Sequence, residues 1–265
     1  MIALYQIDSF ATEIFRGNPA AVCPTDEWLS DDLMQSLAAE NNLSETAFVV
    51  PDKTGKADFG LRWFTPAAEV DLCGHATLAT AWVLFNELNW AKDVVSFTTR
   101  SGVLYVSQGE DGLLTMDFPK CTLKPAPHPD ELTHALGGPA LDFCVASNDM
   151  RLAVLGSPEA VRNLKPNLRA IAQMGSFGFI VTAKGEGDVD FVSRFFAPQV
   201  GIVEDPVTGS AHTVLAPYWA RRLKKDSFKA QQISARGGEV LCELDGDRVK
   251  LSGRAVLYMK GEISL

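Results

Sequence analysis

Residues 62–77 read Arg-Trp-Phe-Thr-Pro-Ala-Ala-Glu-Val-Asp-Leu-Cys-Gly-His-Ala-Thr, and this stretch defines the architecture because its pattern returns later in the chain. From residue 194 the chain reads Arg-Phe-Phe-Ala-Pro, and residues 204–212 read Glu-Asp-Pro-Val-Thr-Gly-Ser-Ala-His. The two arginines lie 132 residues apart, as do the two prolines, and the two glycines lie 135 apart. A near-constant offset of this kind indicates an internal duplication.

The repeat extends over most of both halves. Each copy of the motif leads into a largely apolar segment, 76–84 in the first half and 211–220 in the second, which is typical of a helix buried on every side. Strand-like segments precede and follow each helix. We therefore expect two matching domains, residues 1–118 and 119–265, separated near the Pro-rich segment 119–129. The sequence leaves open which domain the last strand, 255–265, packs on.

Composition narrows the classes of function. The chain has 265 residues, of which 46% are hydrophobic and 22% charged, as in a soluble globular protein. A formal net charge of −9 argues against nucleic acid as a partner and favours a small molecule. The N-terminus lacks the pattern of a signal peptide and no long apolar run occurs, so we expect a cytoplasmic protein without a membrane span. Five scattered cysteines without CxxC spacing indicate neither a disulfide framework nor a metal site.

The repeated glycines indicate an anion site. Gly74 and Gly209 each precede a buried helix, where unpaired backbone N–H groups and the positive end of the helix dipole favour negative charge. Two such helix ends brought together by the pseudo-symmetry would bind a carboxylate or an oxyanion. That arrangement suits removal of a proton beside an acid group. A single such glycine would be no more than a helix-start turn.

Several polar residues near these glycines have two interpretations each. His75 is either a buried structural histidine or a donor that faces the substrate. Asp205 is either a turn residue before Pro206 or the counterpart of the acids in the first motif. Ser210 is an N-cap, a hydroxyl that reaches the ligand, or both. Glu45 begins a strand, and about 131 residues later the chain has Ser176, so Glu45 has no acidic counterpart.

Five motifs in order resemble the phenazine-biosynthesis PhzF-like family of cofactor-independent isomerases over essentially the whole chain. They are Gly-Asn-Pro-Ala-Ala-Val at 17–22, Asn-Leu-Ser-Glu-Thr-Ala-Phe at 42–48, Arg-Trp-Phe-Thr-Pro at 62–66, Asp-Leu-Cys-Gly-His-Ala-Thr at 71–77, and the motif at 204–212. The resemblance implies an α+β fold like that of diaminopimelate epimerase. Each of two pseudo-symmetric domains would be a curved, mostly antiparallel β-sheet or barrel around a central α-helix, with the active site in the interdomain cleft.

The resemblance also implies residue roles. Glu45 would be the general acid and base, while Gly74, His75, Asp205, Gly209 and Ser210 would bind and orient the substrate. Cys73 and Ser44 are secondary candidates. Related epimerases use two cysteines, one per domain; here Cys73 occupies the first such position but Thr208 the second, and a hydroxyl is a far weaker acid than a thiol. A homodimer is expected from the resemblance alone.

The sequence thus predicts an isomerase in which Glu45 moves a proton within a small carboxylate-bearing substrate, without a metal or an organic cofactor. One alternative keeps the enzyme class but makes Cys73 the base of an amino-acid or hydroxy-acid epimerase or racemase. A second alternative is a non-catalytic protein that binds small anions. The physiological substrate is not predicted, and nothing in the sequence indicates a phenazine pathway.

Overall fold

A computed structural model describes all 265 residues, and the chain forms two compact units. Unit 1 comprises Met1–Asp117 with Ser252–Leu265, and unit 2 comprises Phe118–Leu251. In unit 1 the elements in chain order are β1 (Ile2–Ser9), β2 (Asn18–Pro24), α1 (Asp31–Asn41), β3 (Glu45–Pro51), β4 (Phe59–Phe64), β5 (Glu69–Val70), α2 (Gly74–Asn86), β6 (Val94–Thr99), β7 (Gly102–Gln108) and β8 (Leu114–Pro119).

Unit 2 has a similar series of elements. They are β9 (Leu123–Pro125), α3 (Asp130–Leu136), β10 (Asp142–Ala146), β11 (Met150–Val154), α4 (Pro158–Arg162), α5 (Leu168–Gln173), β12 (Gly178–Lys184), β13 (Phe191–Ala197), a 3-10 turn (Pro198–Val200), β14 (Ile202–Asp205), α6 (Gly209–Leu223), β15 (Ser227–Gln232), β16 (Gly238–Asp245) and β17 (Arg248–Gly253). The last strand of the chain is β18 (Ala255–Ile263).

The strand pairings of the two units match one for one. In unit 1, β1–β2 and β3–β4 are antiparallel, β2–β3 and β4–β6 are parallel, and β6–β7 closes the series as an antiparallel pair. In unit 2, β10–β11, β11–β12, β12–β13, β13–β15 and β15–β16 repeat that order with the same directions. This identity of topology confirms the predicted α+β duplication.

A buried helix lies at the centre of each unit. Helix α2 packs against β1, β2 and β3, and its buried side chains run from His75 to Leu84, as the all-round apolar pattern predicts. Helix α6 is buried from Gly209 to Trp219 apart from Ser210, and it contains Pro217. Because proline lacks an N–H, the carbonyl of Thr213 loses its helical partner, and the backbone N–H of Cys121 donates to it instead at 3.2 Å.

The last strand belongs to unit 1, so the second domain ends at Leu251 rather than at the C-terminus. Strand β18 pairs antiparallel with β1 from Ile2↔Ile263 to Ser9↔Ala255. In unit 2 the short strand β9 pairs antiparallel with β10, which corresponds to β1. The chain passes from unit 1 to unit 2 between Asp117 and Phe118, one residue before the predicted boundary, and the Pro-rich segment that follows contributes the strand β9 to unit 2.

Serine side chains cap two of the other helices. Ser30 caps α1 by accepting a hydrogen bond from Leu33 N–H, and Ser157 caps α4 by accepting from Ala160 N–H, with Pro158 in its first turn. Helices α3 and α5 and strands β5, β9, β14, β15 and β17 were not predicted. Of these, α3, α5, β5, β9 and β14 are too short to show a clear period. No helix is long and apolar enough to cross a membrane.

Candidate active site

The candidate residues of the first half lie together in unit 1. Glu45 is the first residue of β3, and Cys73 is the N-cap residue of α2, followed by Gly74 and His75 in the first turn. Cys73 has extended backbone dihedrals (φ −143°, ψ 111°) and makes no side-chain capping hydrogen bond. Its side chain is thus free to face the site rather than to close the helix end.

His75 and Glu45 form the centre of this group. His75 Nε2 lies 2.9 Å from Glu45 Oε2, and the two side chains are only 6% and 12% exposed. The distance is that of an ion pair, but the alignment is not that of a hydrogen bond, and both atoms are buried without a hydrogen-bond partner. Buried polar atoms are almost always satisfied, so a polar ligand is the natural partner for this pair.

Asn18, which the motif pattern did not single out, holds the other side of the imidazole. Its Nδ2 lies 3.2 Å from His75 Nδ1, and its Oδ1 accepts a hydrogen bond from Ser44 Oγ at 3.1 Å. Ser9 Oγ donates to the backbone carbonyl of His75 at 2.8 Å. Since Ser9 and Asn18 are paired across β1 and β2, one strand pair fixes both the backbone and the ring of His75. The Gly-Asn-Pro motif was the available signal for Asn18.

Cys73 contributes a neutral thiol. Burial, reinforced by the charge of Glu45, raises the pKa of Cys73 to about 11 despite the opposing effect of His75. Burial also disfavours a charged His75, but the neighbouring Cys73 and Glu45 outweigh it and hold the pKa of His75 above its usual range. Both groups lie against the ring, Cys73 Sγ at Nδ1 and Glu45 Oε2 at Nε2.

Three metal-ligating atoms occur in this site, one each from Glu45, Cys73 and His75, all within 4.8 Å of one another. The imidazole presents Nδ1 to Cys73 at 3.5 Å and Nε2 to Glu45 at 2.9 Å. These two nitrogens point away from each other, so one ion bound by all three residues would require the ring to turn. The arrangement suits proton transfer better than metal binding.

The candidate residues of the second half lie together in unit 2. Asp205 ends β14, Thr208 is the N-cap residue of α6, and Gly209 and Ser210 begin the helix. Ser210 is therefore not the N-cap, contrary to one of its two interpretations. Thr208 does not cap the helix either, because its hydroxyl donates to Asp205 Oδ2 at 2.5 Å. Both central helices thus begin without a side-chain cap.

Gln232, a second residue that the sequence pattern did not reveal, organises this turn. It is fully buried, and its Nε2 donates to the carbonyl of Asp205 at 2.7 Å and to Thr208 Oγ1 at 3.1 Å. Its Oε1 accepts from the backbone N–H of Thr208 at 2.9 Å. A glutamine in a strand offers no sequence signal for such a role.

The two motifs contain matching arginine–glutamate ion pairs. Arg62 binds Glu69 through Nε and one terminal nitrogen, both at 2.7 Å, and Arg194 binds Glu204 in the same way at 2.7 and 2.8 Å. Each guanidinium also lies over the phenylalanine two residues later in its strand, at 5.2 and 5.0 Å from the ring centroid.

The catalytic candidates, by contrast, have no counterparts. Asp205 pairs with Phe195 where Val70 pairs with Trp63, so it corresponds to an apolar residue and not to an acid of the first motif. Glu45, the first residue of β3, corresponds in register to Gly178 of β12 rather than to Ser176. Neither Glu45 nor Asp205 is therefore repeated by the duplication.

The two units together have a duplicated α+β fold of the diaminopimelate epimerase-like class. A family model described as "Phenazine biosynthesis-like protein" matches residues 7–261. An uncharacterized isomerase of Pseudomonas aeruginosa is 50% identical over 264 residues, which cover 100% of this chain and 99% of that protein. The chain belongs to the phenazine biosynthesis-like, or PhzF, family, and it is an isomerase.

Solved structures agree with this assignment. A PhzF-family protein of Enterococcus faecalis superposes with a TM-score of 0.95 at 44% identity, covering 100% of this chain and 99% of that one. A hydroxyproline epimerase of Agrobacterium vitis shares the fold with a TM-score of 0.65 at 15% identity, covering 98% of this chain and 91% of its own. The second likeness concerns the fold alone.

Proposed function

We propose that this isomerase moves a proton within a small carboxylate-bearing substrate, with Glu45 as the general acid and base. The observation that carries the proposal is the buried pair of Glu45 Oε2 and His75 Nε2, 2.9 Å apart and without hydrogen-bond partners. One carboxylate that removes a proton from one carbon and returns it to another needs no second acid of equal strength. His75 supplies the adjacent donor that holds a substrate oxygen as negative charge develops.

The resemblance assigns substrate binding to the uncapped helix starts and to Asp205. Gly74 and His75 in unit 1, and Gly209 and Ser210 in unit 2, bring backbone N–H groups that suit a carboxylate. We propose that the reaction uses no metal or organic cofactor, so that dialysis against a chelator leaves the rate unchanged. We also propose a homodimer, which sedimentation of the purified protein tests.

Solvent isotope exchange tests the function even while the physiological substrate is unidentified. The protein is incubated in D₂O with a panel of cyclic and acyclic carboxylates, and deuterium at carbon is followed by mass spectrometry. Glu45→Gln removes the base while keeping the shape of the side chain, and should abolish incorporation. Glu40→Gln, an exposed position in α1, is the matched control. Undiminished exchange by Glu45→Gln would refute the proposal.

The second candidate is a Cys73-dependent epimerase, favoured by the 3.5 Å contact between Cys73 Sγ and His75 Nδ1. Burial of the thiol opposes it, because only a thiolate is an effective base. In the exchange assay this enzyme would lose activity in Cys73→Ala and retain it in Glu45→Gln. Binding of a carboxylate without any exchange by the unaltered protein would instead support the non-catalytic alternative.

A further inference from the structure

We infer that Asn18 is a positioning residue that keeps His75 in the tautomer with its proton on Nε2 and none on Nδ1. The inference rests on the proposed function, in which Glu45 is the base, and it adds a residue to which neither the motifs nor the family resemblance assigned a role. It starts from the closed series of contacts Ser44–Asn18–His75–Glu45, which begins and ends on adjacent residues of the chain.

The chemistry of the amide sets the direction of these contacts. Asn18 is completely buried, and its Nδ2 lies 3.2 Å from His75 Nδ1. A carboxamide nitrogen donates hydrogen bonds and does not accept them, so Nδ1 must accept and cannot carry a proton. Ser44 Oγ donates to Asn18 Oδ1 at 3.1 Å, which keeps the nitrogen end of the amide turned to the imidazole.

The ring cannot easily escape this contact. Ser9 Oγ fixes the carbonyl of His75, and Asn18 lies opposite Ser9 in the β1–β2 ladder. His75 itself is in the first turn of a buried helix. With the backbone held and Nδ1 acting as an acceptor, the proton of a neutral imidazole lies on Nε2, the nitrogen that is 2.9 Å from Glu45 Oε2.

This tautomer protects the basicity of Glu45. An imidazolium 2.9 Å from the carboxylate would stabilise its anionic form and weaken it as a base. A neutral Nε2–H can still donate a hydrogen bond to a substrate oxygen, but without a full positive charge. Cys73 and Glu45 raise the pKa of His75 and so favour a second proton on the ring. The contact of Asn18 with Nδ1 acts in the opposite direction, because a protonated Nδ1 could not accept a hydrogen bond from the amide.

Two groups contact His75 Nδ1, the amide of Asn18 and the neutral thiol of Cys73, and neither one carries a charge. Helix α2 packs against β1, β2, β3, β7 and β18. Of their titratable groups, Glu45 on β3 faces Nε2, and the thiol of Cys73, on the helix itself, faces Nδ1. The other charged side chains on these strands have different partners or positions. Asp8 on β1 accepts a hydrogen bond from the backbone N–H of Phe15, and Lys260 on β18 forms an ion pair with Glu87. Glu262 lies two residues beyond Lys260 on β18, and β7 carries no charged side chain.

Nitrogen-15 NMR of histidine-labelled protein tests the inference without substrate. The chain has four histidines, and His75→Gln assigns the signal of His75 by its loss. In the unaltered protein, Nδ1 should show the chemical shift of an unprotonated nitrogen and Nε2 that of a protonated one. Asn18→Asp places an acceptor opposite Nδ1 and should move the proton there. Asn41→Asp adds the same charge at a side chain that binds Thr46, and should leave His75 unchanged.

The kinetic consequence separates positioning from mere structural support. Asn18→Asp should lower kcat for isotope exchange about tenfold or more with little change in KM. It should also move the acidic limb of the pH profile to higher pH, because a second negative charge and the loss of the proton on Nε2 both disfavour the anionic form of Glu45. Ser44→Ala frees the amide to turn and should give a mixture of His75 tautomers even if the aspartate variant folds poorly. A proton on Nδ1 in the unaltered protein, or one tautomer throughout, would overturn the inference. Failure of the proposed function appears separately, as exchange retained by Glu45→Gln.

Discussion

His75 Nε2 faces Glu45 Oε2 at 2.9 Å, and both atoms are buried without a hydrogen-bond partner. Leaving a buried polar atom unsatisfied costs about 1–3 kcal/mol. A substrate oxygen placed beside this pair would satisfy the atoms and remove that cost. The first prediction therefore concerns the position of the Glu45 carboxylate, not its chemical identity.

Shortening Glu45 by one methylene should separate base from substrate without removing the carboxylate. In Glu45→Asp we expect the rate of isotope exchange to fall about 100-fold, because a displacement on the order of 1 Å at a reacting group costs that much. Single-turnover exchange in D₂O measures the effect, and near-ultraviolet circular dichroism checks that the fold is intact. A rate equal to that of the unaltered protein would show that the position of this carboxylate does not limit the reaction.

Gln232 should be as important for stability as a core residue. Gln232→Leu removes the partners of Asp205 C=O and of Thr208 N–H, both buried, and should lower the free energy of unfolding by about 2–4 kcal/mol. Urea unfolding measures the change. Gln231→Leu is the matched control, since Gln231 is the preceding residue of the same strand and its side chain points to the opposite face. Equal effects of the two substitutions would contradict the assigned role.

His212 should make unit 2 sensitive to acid. Burial lowers the pKa of His212 to about 4, although its contact with the carbonyl of Thr208 acts in the opposite direction. Below pH 6.5 the His212 side chain becomes protonated in the unfolded chain, whereas in the folded chain it stays neutral down to about pH 4. The free energy of unfolding therefore falls as the pH drops from 6.5 towards 4. The loss from this group is roughly 3 kcal/mol.

The variant His212→Asn measures that loss by difference. An asparagine amide can donate to the carbonyl of Thr208 in place of Nδ1 but does not titrate, so the acid-dependent part of unfolding should shrink. His128→Asn, at an exposed position, should show the full pH dependence of the unaltered protein. Identical pH profiles for all three proteins would rule out His212 as the source.

The sequence was sufficient to predict the duplication, the two buried helices and the residues at their starts. Periodic burial and helix-start signals are local, so α2 and α6 could be assigned from residue types alone. The pairing of β18 with β1 is not local, because an apolar strand carries no information about which of two similar sheets it joins. Asn18 and Gln232 were missed for a related reason: their importance comes from partners distant in sequence.

The strand register explains why a constant sequence offset of about 131 assigned Ser176, and not Gly178, as the counterpart of Glu45. Between the two units the helix starts are 135 residues apart and the strands before them 132 or 133 apart, so one constant shift cannot align both. Gly178 is the first residue of β12, as Glu45 is the first residue of β3. A Cβ at Gly178 would lie 2.3 Å from the ring of Phe195.

This contact predicts that unit 2 cannot accept a side chain where unit 1 has its base. Gly178→Ala forces the ring of Phe195 to move, and should lower the free energy of unfolding by about 1–3 kcal/mol. Gly156→Ala, where a Cβ would meet no atom within 4 Å, should change it by less than about 0.5 kcal/mol. Thermal unfolding of both variants measures these changes. An unchanged free energy of unfolding in Gly178→Ala would contradict the prediction, because it would show that the ring of Phe195 can move without destabilising unit 2.

Cys73 should be dispensable for the chemistry although it lies against His75. Its thiol is buried with a pKa of about 11, so only a minute fraction is thiolate at neutral pH, and a neutral thiol is a poor base. We expect Cys73→Ala to retain isotope exchange to within about tenfold, the residual loss reflecting a less well-held imidazole. The decisive comparison is with Glu45→Gln under identical conditions. If Cys73→Ala lost exchange as completely as Glu45→Gln while His75 kept its NMR signature, the thiol would share the proton transfer, and a single-base mechanism would no longer describe this site.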